Sequence, residues 1–284
     1  MYALIMRKAV AGVFLSLFGC LGQELPPGVT SEPDIAYDQY PETRLDVFKP
    51  AGWSAGGKHP GVMVIHGGGW TGGTKESMVA RWVLPYVKQG FVAVNVEYRL
   101  AKAKTAPAAV EDVLKAAAWF ESNAKRLGAD PKRIVVTGGS AGGHLALMVG
   151  MTPKSAGLGK PARVAAVVNF YGITDVGDQL SGPNMRQYAV TWVPEQEGRM
   201  ELARRVSPMT YVRKKLPPIL TIHGDQDPTV PYEHGTRLTK ALNDIGADAQ
   251  LITIPGGRHG QPAEQFDAVY PRIFEFLKAR GVMR

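Results

Sequence analysis

Cysteine is nearly absent. The chain holds one, Cys20, among 284 residues, so no intrachain disulfide can staple the fold, and oxidising conditions neither help nor harm it. Long apolar runs are missing too. The apolar stretch near the start, Ala9 to Phe18, is too short to span a bilayer as a helix. There is no internal repeat and no low-complexity tract, and charged residues make up only 20% of the chain. The net charge of +8 is not gathered into a stripe that would suit nucleic acid. Its densest group, Arg213-Lys214-Lys215, is short and runs into Pro217-Pro218, so the basic residues read as a solvated surface, with contact to acidic polymers as a minor role.

What is present suits one globular domain with a large core, since 45% of the residues are hydrophobic. The 33 Gly and 21 Pro fall between hydrophobic runs, which reads as turn-rich rather than disordered. Arg7 and Lys8 before the apolar stretch give residues 1–20 the form of an export signal. Leu17-Phe18-Gly19-Cys20 resembles a bacterial lipobox, whose cysteine is lipidated and becomes the new N-terminus, although Phe18 departs from that pattern. Ordinary cleavage nearby is the alternative. The expected location is exported: secreted, periplasmic, or held at a membrane only through a lipid on Cys20.

Residues 21–40 read as a polar linker, and 41–284 as the folded domain. Thr43 to Phe48 alternates as a strand exposed on one face would. The runs Gly61–Ile65, Phe91–Val96, Arg133–Thr137, Val164–Phe170, Ile219–Ile222 and Gln250–Ile254 do not alternate, as expected of parallel strands covered on both faces. Helical stretches lie between them. In the clearest, Ala106 to Leu127, the residues Val110, Val113, Leu114, Ala117, Phe120, Ala124 and Leu127 follow the helical period, Glu111 and Lys115 form an i,i+4 pair, and Gly128 ends the run. The expected class is α/β, a doubly wound and mostly parallel sheet of about eight strands. Residues 173–216 lack a strong strand and carry Tyr188, Trp192 and Tyr211, which reads as a small helical cap.

Each chemically suggestive motif follows a strand, where sites form in such sheets. Gly138-Gly139-Ser140-Ala141-Gly142 matches the nucleophile elbow, with Ile134–Val136 as the strand before it and Leu145–Val149 as the helix after. The turn is so sharp that its flanks must be small, and it leaves Ser140 exposed. His66-Gly67-Gly68-Gly69-Trp70 lets backbone N–H groups turn inward, and the amides of Gly68, Gly69 and Ala141 are the expected oxyanion donors. His66 reads as a brace for that loop. Asp227, after Ile219–Ile222, can orient a histidine, with Asp225 as a rival better suited to capping the turn. His259, between glycines in Pro255–Gly260, is the expected general base, because an imidazole exchanges protons near neutrality. His144 should pack one turn below Ser140, while His59 and His234 have no motif around them. Trp70 and Tyr171 are the expected walls of a small acyl pocket.

The order Ser140, Asp227, His259 differs from that of chymotrypsin-like and subtilisin-like enzymes. The chain resembles the α/β-hydrolase esterases of the hormone-sensitive-lipase type, and more closely the acetylxylan and feruloyl esterase-like branch. The resemblance is carried by Arg44–Phe48, His66–Trp70, Glu97-Tyr98-Arg99-Leu100, Gly138–Leu145 and the Asp227 and His259 loops. Gly139 before Ser140, and the lack of a long N-terminal cap, depart from the lipase branch and favour the smaller esterases. The resemblance implies a serine carboxylesterase without metal or organic cofactor; the small pocket expected at Trp70 and Tyr171 suggests short acyl esters, with acetyl or feruloyl groups on plant polysaccharides as candidates. An amidase, formamidase or serine peptidase would use the same triad. A non-catalytic binding protein that kept the fold is the competing class, against which the intact triad counts. No signal for oligomeric state is present.

Overall fold

The non-alternating runs become the interior of one sheet. A computed structural model describes residues 24–260 and 263–284, so the expected export signal and the Cys20 motif lie outside the described residues. The strands are β1 (Thr30–Ala36), β2 (Arg44–Lys49), β3 (His59–Ile65), β4 (Val92–Val96), β5 (Ala129–Gly139), β6 (Ala166–Phe170), β7 (Ile219–Gly224) and β8 (Ala249–Ile254). They form an eight-stranded sheet in the order β1-β2-β4-β3-β5-β6-β7-β8. β2 runs antiparallel to both its neighbours, β1 and β4, and every pair from β4 to β8 is parallel. The carboxyl ends of β3, β5, β6, β7 and β8 therefore lie side by side along one edge.

The helices are α1 (Leu84–Lys88), α2 (Ala108–Asn123), α3 (Ala141–Met151), α4 (Gln187–Trp192), α5 (Arg199–Arg205), α6 (Glu233–Asp244) and α7 (Ala263–Ala279). Successive strand residues point to opposite faces, and each face has its own core. Met63, Val94, Val136 and Val167 meet Val113 and Phe120 of α2, Leu145 of α3 and Leu238 of α6. Val62, Val64, Val135 and Val168 meet Tyr86 of α1 and Ile273 and Phe276 of α7. The sheet is thus covered on both sides, which is why its strands carry no alternation.

Three expectations change at the edges. The stretch 21–40 is not all linker, because its residues Thr30–Ala36 form β1 and pair with β2. β2 is also covered on both faces rather than one, Leu45 and Val47 by one core and Phe48 by the other, and Asp46 is buried too. Helix α2 stops at Asn123, although Ala124 and Leu127 beyond it stay buried and Gly128 follows in the left-handed region at φ 72°. Residues 173–216 contain α4, α5 and short 3₁₀ turns without a strand.

The expected Glu111–Lys115 pair is also replaced. Lys115 reaches Asp38 instead, and Glu111 lies 3.8 Å from Arg99. The stronger contact belongs to the next residue. Buried Asp112 holds Arg99 by a fork, 2.8 Å from Nε and 2.6 Å from Nη2, and accepts the Arg99 amide at 3.0 Å. The guanidinium also lies over the Tyr40 ring at 3.9 Å. One ion pair thus ties α2, the loop after β4 and the turn before β2. Asp112→Ala leaves that cation buried without its partner and should lower stability by about 3–5 kcal/mol. Urea unfolding followed by circular dichroism measures the loss, and a change within about 0.5 kcal/mol would contradict it.

Candidate active site

Ser140 sits where β5 turns into α3, with φ 57° and ψ −123°, a backbone that a residue with a side chain rarely adopts. The turn is enforced by close packing. A Cβ on Gly142 would stand 2.2 Å from the carbonyl oxygen of Ile65, so the elbow and the end of β3 touch backbone to backbone. The Ser140 amide is held by the Phe170 carbonyl at 3.0 Å. The side chain is left at the carboxyl edge of the sheet, only partly covered.

The structure brings Ser140, Asp227 and His259 together. His259 Nε2 lies 3.0 Å from Ser140 Oγ, and its Nδ1 lies 2.8 Å from Asp227 Oδ2. Asp227 Oδ1 accepts the amides of Thr229 at 2.8 Å and Val230 at 3.0 Å. Burial alone would raise the Asp227 pKa. Hydrogen bonds from His223 and His259, the nearby His259 charge and the Val230 amide outweigh burial and hold it well below the usual carboxylate range. Asp227 is therefore an anion that accepts Nδ1–H, and the Nε2 lone pair faces the Ser140 hydroxyl. The rival Asp225 is exposed and accepts the Gly256 amide at 2.7 Å, so it caps the turn that carries His259.

The glycine loop after β3 lies against the elbow, since a Cβ on Gly67 would stand 2.7 Å from the Gly139 carbonyl oxygen. Gly68 and Gly69 have φ of 109° and 60°, and Ala141 is the first residue of α3. Among the described residues none of these three amides has an acceptor. The α3 N-terminus adds a positive dipole end at the same place. His66 braces the loop as expected, with Nδ1 on the Gly67 carbonyl and Nε2 on Glu97, each at 2.7 Å.

Of the two expected pocket walls, Tyr171 stands beside the triad, its ring 4.8 Å from that of His259. Trp70 does not line an open pocket. Its indole is fully buried, stacks on Trp192 at 4.2 Å and donates Nε1–H to His144 Nδ1 at 3.1 Å. The cap covers it. Two other aromatics crowd the site. Trp82 comes from a single π-helical turn, Val79–Val83, and a Cβ on Gly139 would meet its Cη2 at 2.8 Å. Tyr188 of α4 presses on Gly69, where a Cβ would lie 2.7 Å from it. Neither carries a motif, and their positions follow from packing. His223 stands out by no motif either: it is buried beside Asp227, with Nε2 3.4 Å from Oδ2 and 3.0 Å from the Val230 carbonyl. Its signal was spacing, four residues before the acid.

His234 is likewise buried rather than incidental, joining α6 to the cap through Asp178 at 3.0 Å and the Thr174 amide at 3.0 Å. The cap reaches the acid loop as well. Gln179 Nε2 donates to the Thr229 carbonyl at 3.1 Å and Arg186 Nε at 3.0 Å, while Tyr188 donates its hydroxyl to Gln179 at 2.9 Å. The glycine loop and the acid loop are thus clasped by one segment.

Comparison with known proteins agrees with this fold. The model of the BD-FAE family matches residues 45–242. Esterase LipQ of Mycobacterium tuberculosis is 28% identical over 77% of this chain and 54% of its own length. The chain spans about half the length of the curated relatives it matches, 54% and 52% for two of them. Among solved structures, a truncated carbohydrate esterase from gut microbiota shares 27% identity with a TM-score of 0.79, covering 88% of this chain and 96% of that one. Butyrate-bound esterase 2 of Thermogutta terrifontis shares 25% identity with a TM-score of 0.76, covering 90% and 96%. The fold is the α/β-hydrolase fold.

Burial pushes the His144 pKa down from 6.5 to about 4, against the opposing hydrogen bond to the Val206 carbonyl. Burial lowers His234 as well, although Asp178 opposes it. The unfolded chain binds a proton that the folded chain refuses, so stability falls as pH drops from about 6.5 to about 4, by roughly 3 kcal/mol for His144. His144→Gln, which can still accept from Trp70, should flatten that part of a plot of urea midpoint against pH. An unchanged slope would contradict the assignment.

Proposed function

The chain belongs to the BD-FAE family, and from that premise we propose that it is a serine carboxylesterase acting on short acyl esters. The observation that carries the reading is the pair of contacts at His259, 3.0 Å to Ser140 Oγ and 2.8 Å to Asp227 Oδ2, together with three amides that have no acceptor among the described residues. As Ser140 Oγ bonds to the ester carbonyl carbon, its proton passes to His259 Nε2. The carbonyl oxygen, now an anion, is received by Gly68, Gly69 and Ala141, a contribution of about 3–4 kcal/mol per donor. His259 then gives its proton to the departing alkoxide as the C–O bond breaks. Water, deprotonated by His259, attacks the acyl-enzyme, and the proton returns to Ser140 when the acid leaves. Asp227 stays anionic throughout and steadies the imidazolium.

The acyl preference rests on crowding. Tyr171, Trp82 and Tyr188 approach the elbow and the glycine loop closely, and such walls suit an acetyl group or another short chain better than a long one. The structural likeness to a carbohydrate esterase supports an acylated sugar polymer as the alcohol side, with acetyl first and feruloyl second. Export through the leader at residues 1–20 would bring the protein to such a polymer.

Ser140→Ala should lower kcat/KM on p-nitrophenyl acetate by about 10⁴-fold or more, and Asp227→Asn by a similar factor through the wrong His259 tautomer. The wild-type rate should rise with pH as an imidazole loses its proton. A flat profile, or a Ser140→Ala variant of unchanged rate, contradicts the mechanism. Across p-nitrophenyl esters of increasing length, the acetate and butyrate should outrun the laurate. Faster cleavage of the laurate contradicts the crowded pocket.

A further inference from the structure

Behind the glycine loop lies a histidine that the triad does not use. His66 is buried, and both its ring nitrogens meet oxygens at 2.7 Å, Nδ1 the Gly67 carbonyl and Nε2 the Oε1 of Glu97. A carbonyl only accepts, so Nδ1 must carry a hydrogen. Glu97 decides the other nitrogen. Its Oε2 accepts the Lys75 amide at 3.1 Å, and its Oε1 faces the Tyr98 amide at 3.4 Å. With an N–H facing each oxygen, Glu97 serves as the acceptor, and a carboxylate has no hydrogen to offer. The imidazole must then supply the hydrogen at Nε2 as well.

The surrounding groups fit that assignment. The Tyr98 ring stacks on the imidazole at 4.2 Å and its hydroxyl donates to the His66 carbonyl at 3.2 Å. The side-chain ammonium of Lys75, whose amide Glu97 accepts, is held by Asp34 and Asp46 at 2.9 Å and Glu76 at 2.7 Å. Those carboxylates occupy it fully. Glu97 is left to balance His66.

We propose that His66 is an imidazolium that, through the Gly67–Gly68 peptide, aims and polarises the Gly68 N–H that receives the oxyanion. The carbonyl of that peptide belongs to Gly67 and its N–H to Gly68. The bond is trans, since the one cis peptide among the described residues is Ala106–Pro107, so the two groups point in opposite directions. Fixing the carbonyl on His66 fixes the N–H on the far side. A cationic donor on the carbonyl also draws charge through the amide and strengthens its N–H. His66 and Glu97 are positioning residues. The role of Gly68 rests on the esterase reading, whereas the proton on His66 does not.

Glu97→Gln tests this with little change of shape. The new amide can donate to Nε2 of a neutral His66, whose Nδ1–H keeps the Gly67 carbonyl, so the loop stays braced and only the charge is lost. Long-range ¹H–¹⁵N spectra of the full-length protein labelled at histidine should show His66 protonated on both nitrogens near neutral pH, and on Nδ1 alone in Glu97→Gln. For p-nitrophenyl acetate, kcat should fall about tenfold in the variant while KM stays within about twofold. A bare ring nitrogen on His66 in the wild type overturns the proposal, and so does an unchanged kcat once the spectra show the charge lost. Absence of any wild-type ester turnover would sink the esterase reading instead, and the spectra would still decide the proton.

Discussion

One hydrogen bond organises the chemistry of this molecule: that between Asp227 Oδ2 and His259 Nδ1, at 2.8 Å. It decides which imidazole nitrogen holds the hydrogen and so leaves the other as a base toward Ser140. The carboxylate can do this because it remains charged although buried. The amides of Thr229 and Val230 supply hydrogen bonds that water would otherwise give, and the ring of His223 lies 3.4 Å away. These donors act against burial, which alone would raise the Asp227 pKa.

The sheet makes that bond possible between residues distant in sequence. Because β3, β5, β6, β7 and β8 run parallel and adjacent, the loops that follow them share one edge. Each loop is then stiffened separately. Asp225 caps the turn that carries His259, His66 and Glu97 brace the glycine loop, and the buried indole of Trp70 anchors it to His144 beside the elbow. The cap ties the acid loop to the glycine loop through Gln179, Arg186 and Tyr188. Precision at the site is therefore distributed over its supports.

Much of this was legible in the residues. The apolar runs marked the inner strands because burial on both faces removes alternation, and the elbow, the glycine loop and the acid and histidine loops each announced themselves by small residues around one reactive group. Edge strands were harder. β1 reads as polar linker because pairing with β2, rather than burial, holds it in place. β2 alternates like a half-exposed strand, yet its inward polar residue, Asp46, is buried against Lys75. Lys115 and Glu111 satisfy a helical spacing rule, but long-range partners competed for both and won. The pocket aromatics follow the same logic. Trp70, prominent in its motif, turned inward to stack on Trp192, while Trp82 and Tyr188, with no motif, came to the site from elements whose placement only tertiary packing determines.

The central claim is that Asp227 and His259 make Ser140 nucleophilic in the folded protein. A fluorophosphonate probe followed by peptide mass spectrometry reads this directly, because the probe reacts with an activated serine. A single adduct on Ser140, formed fast in the wild type and far more slowly in Asp227→Asn, is the expected result. No adduct, or one on a different residue, would contradict the account.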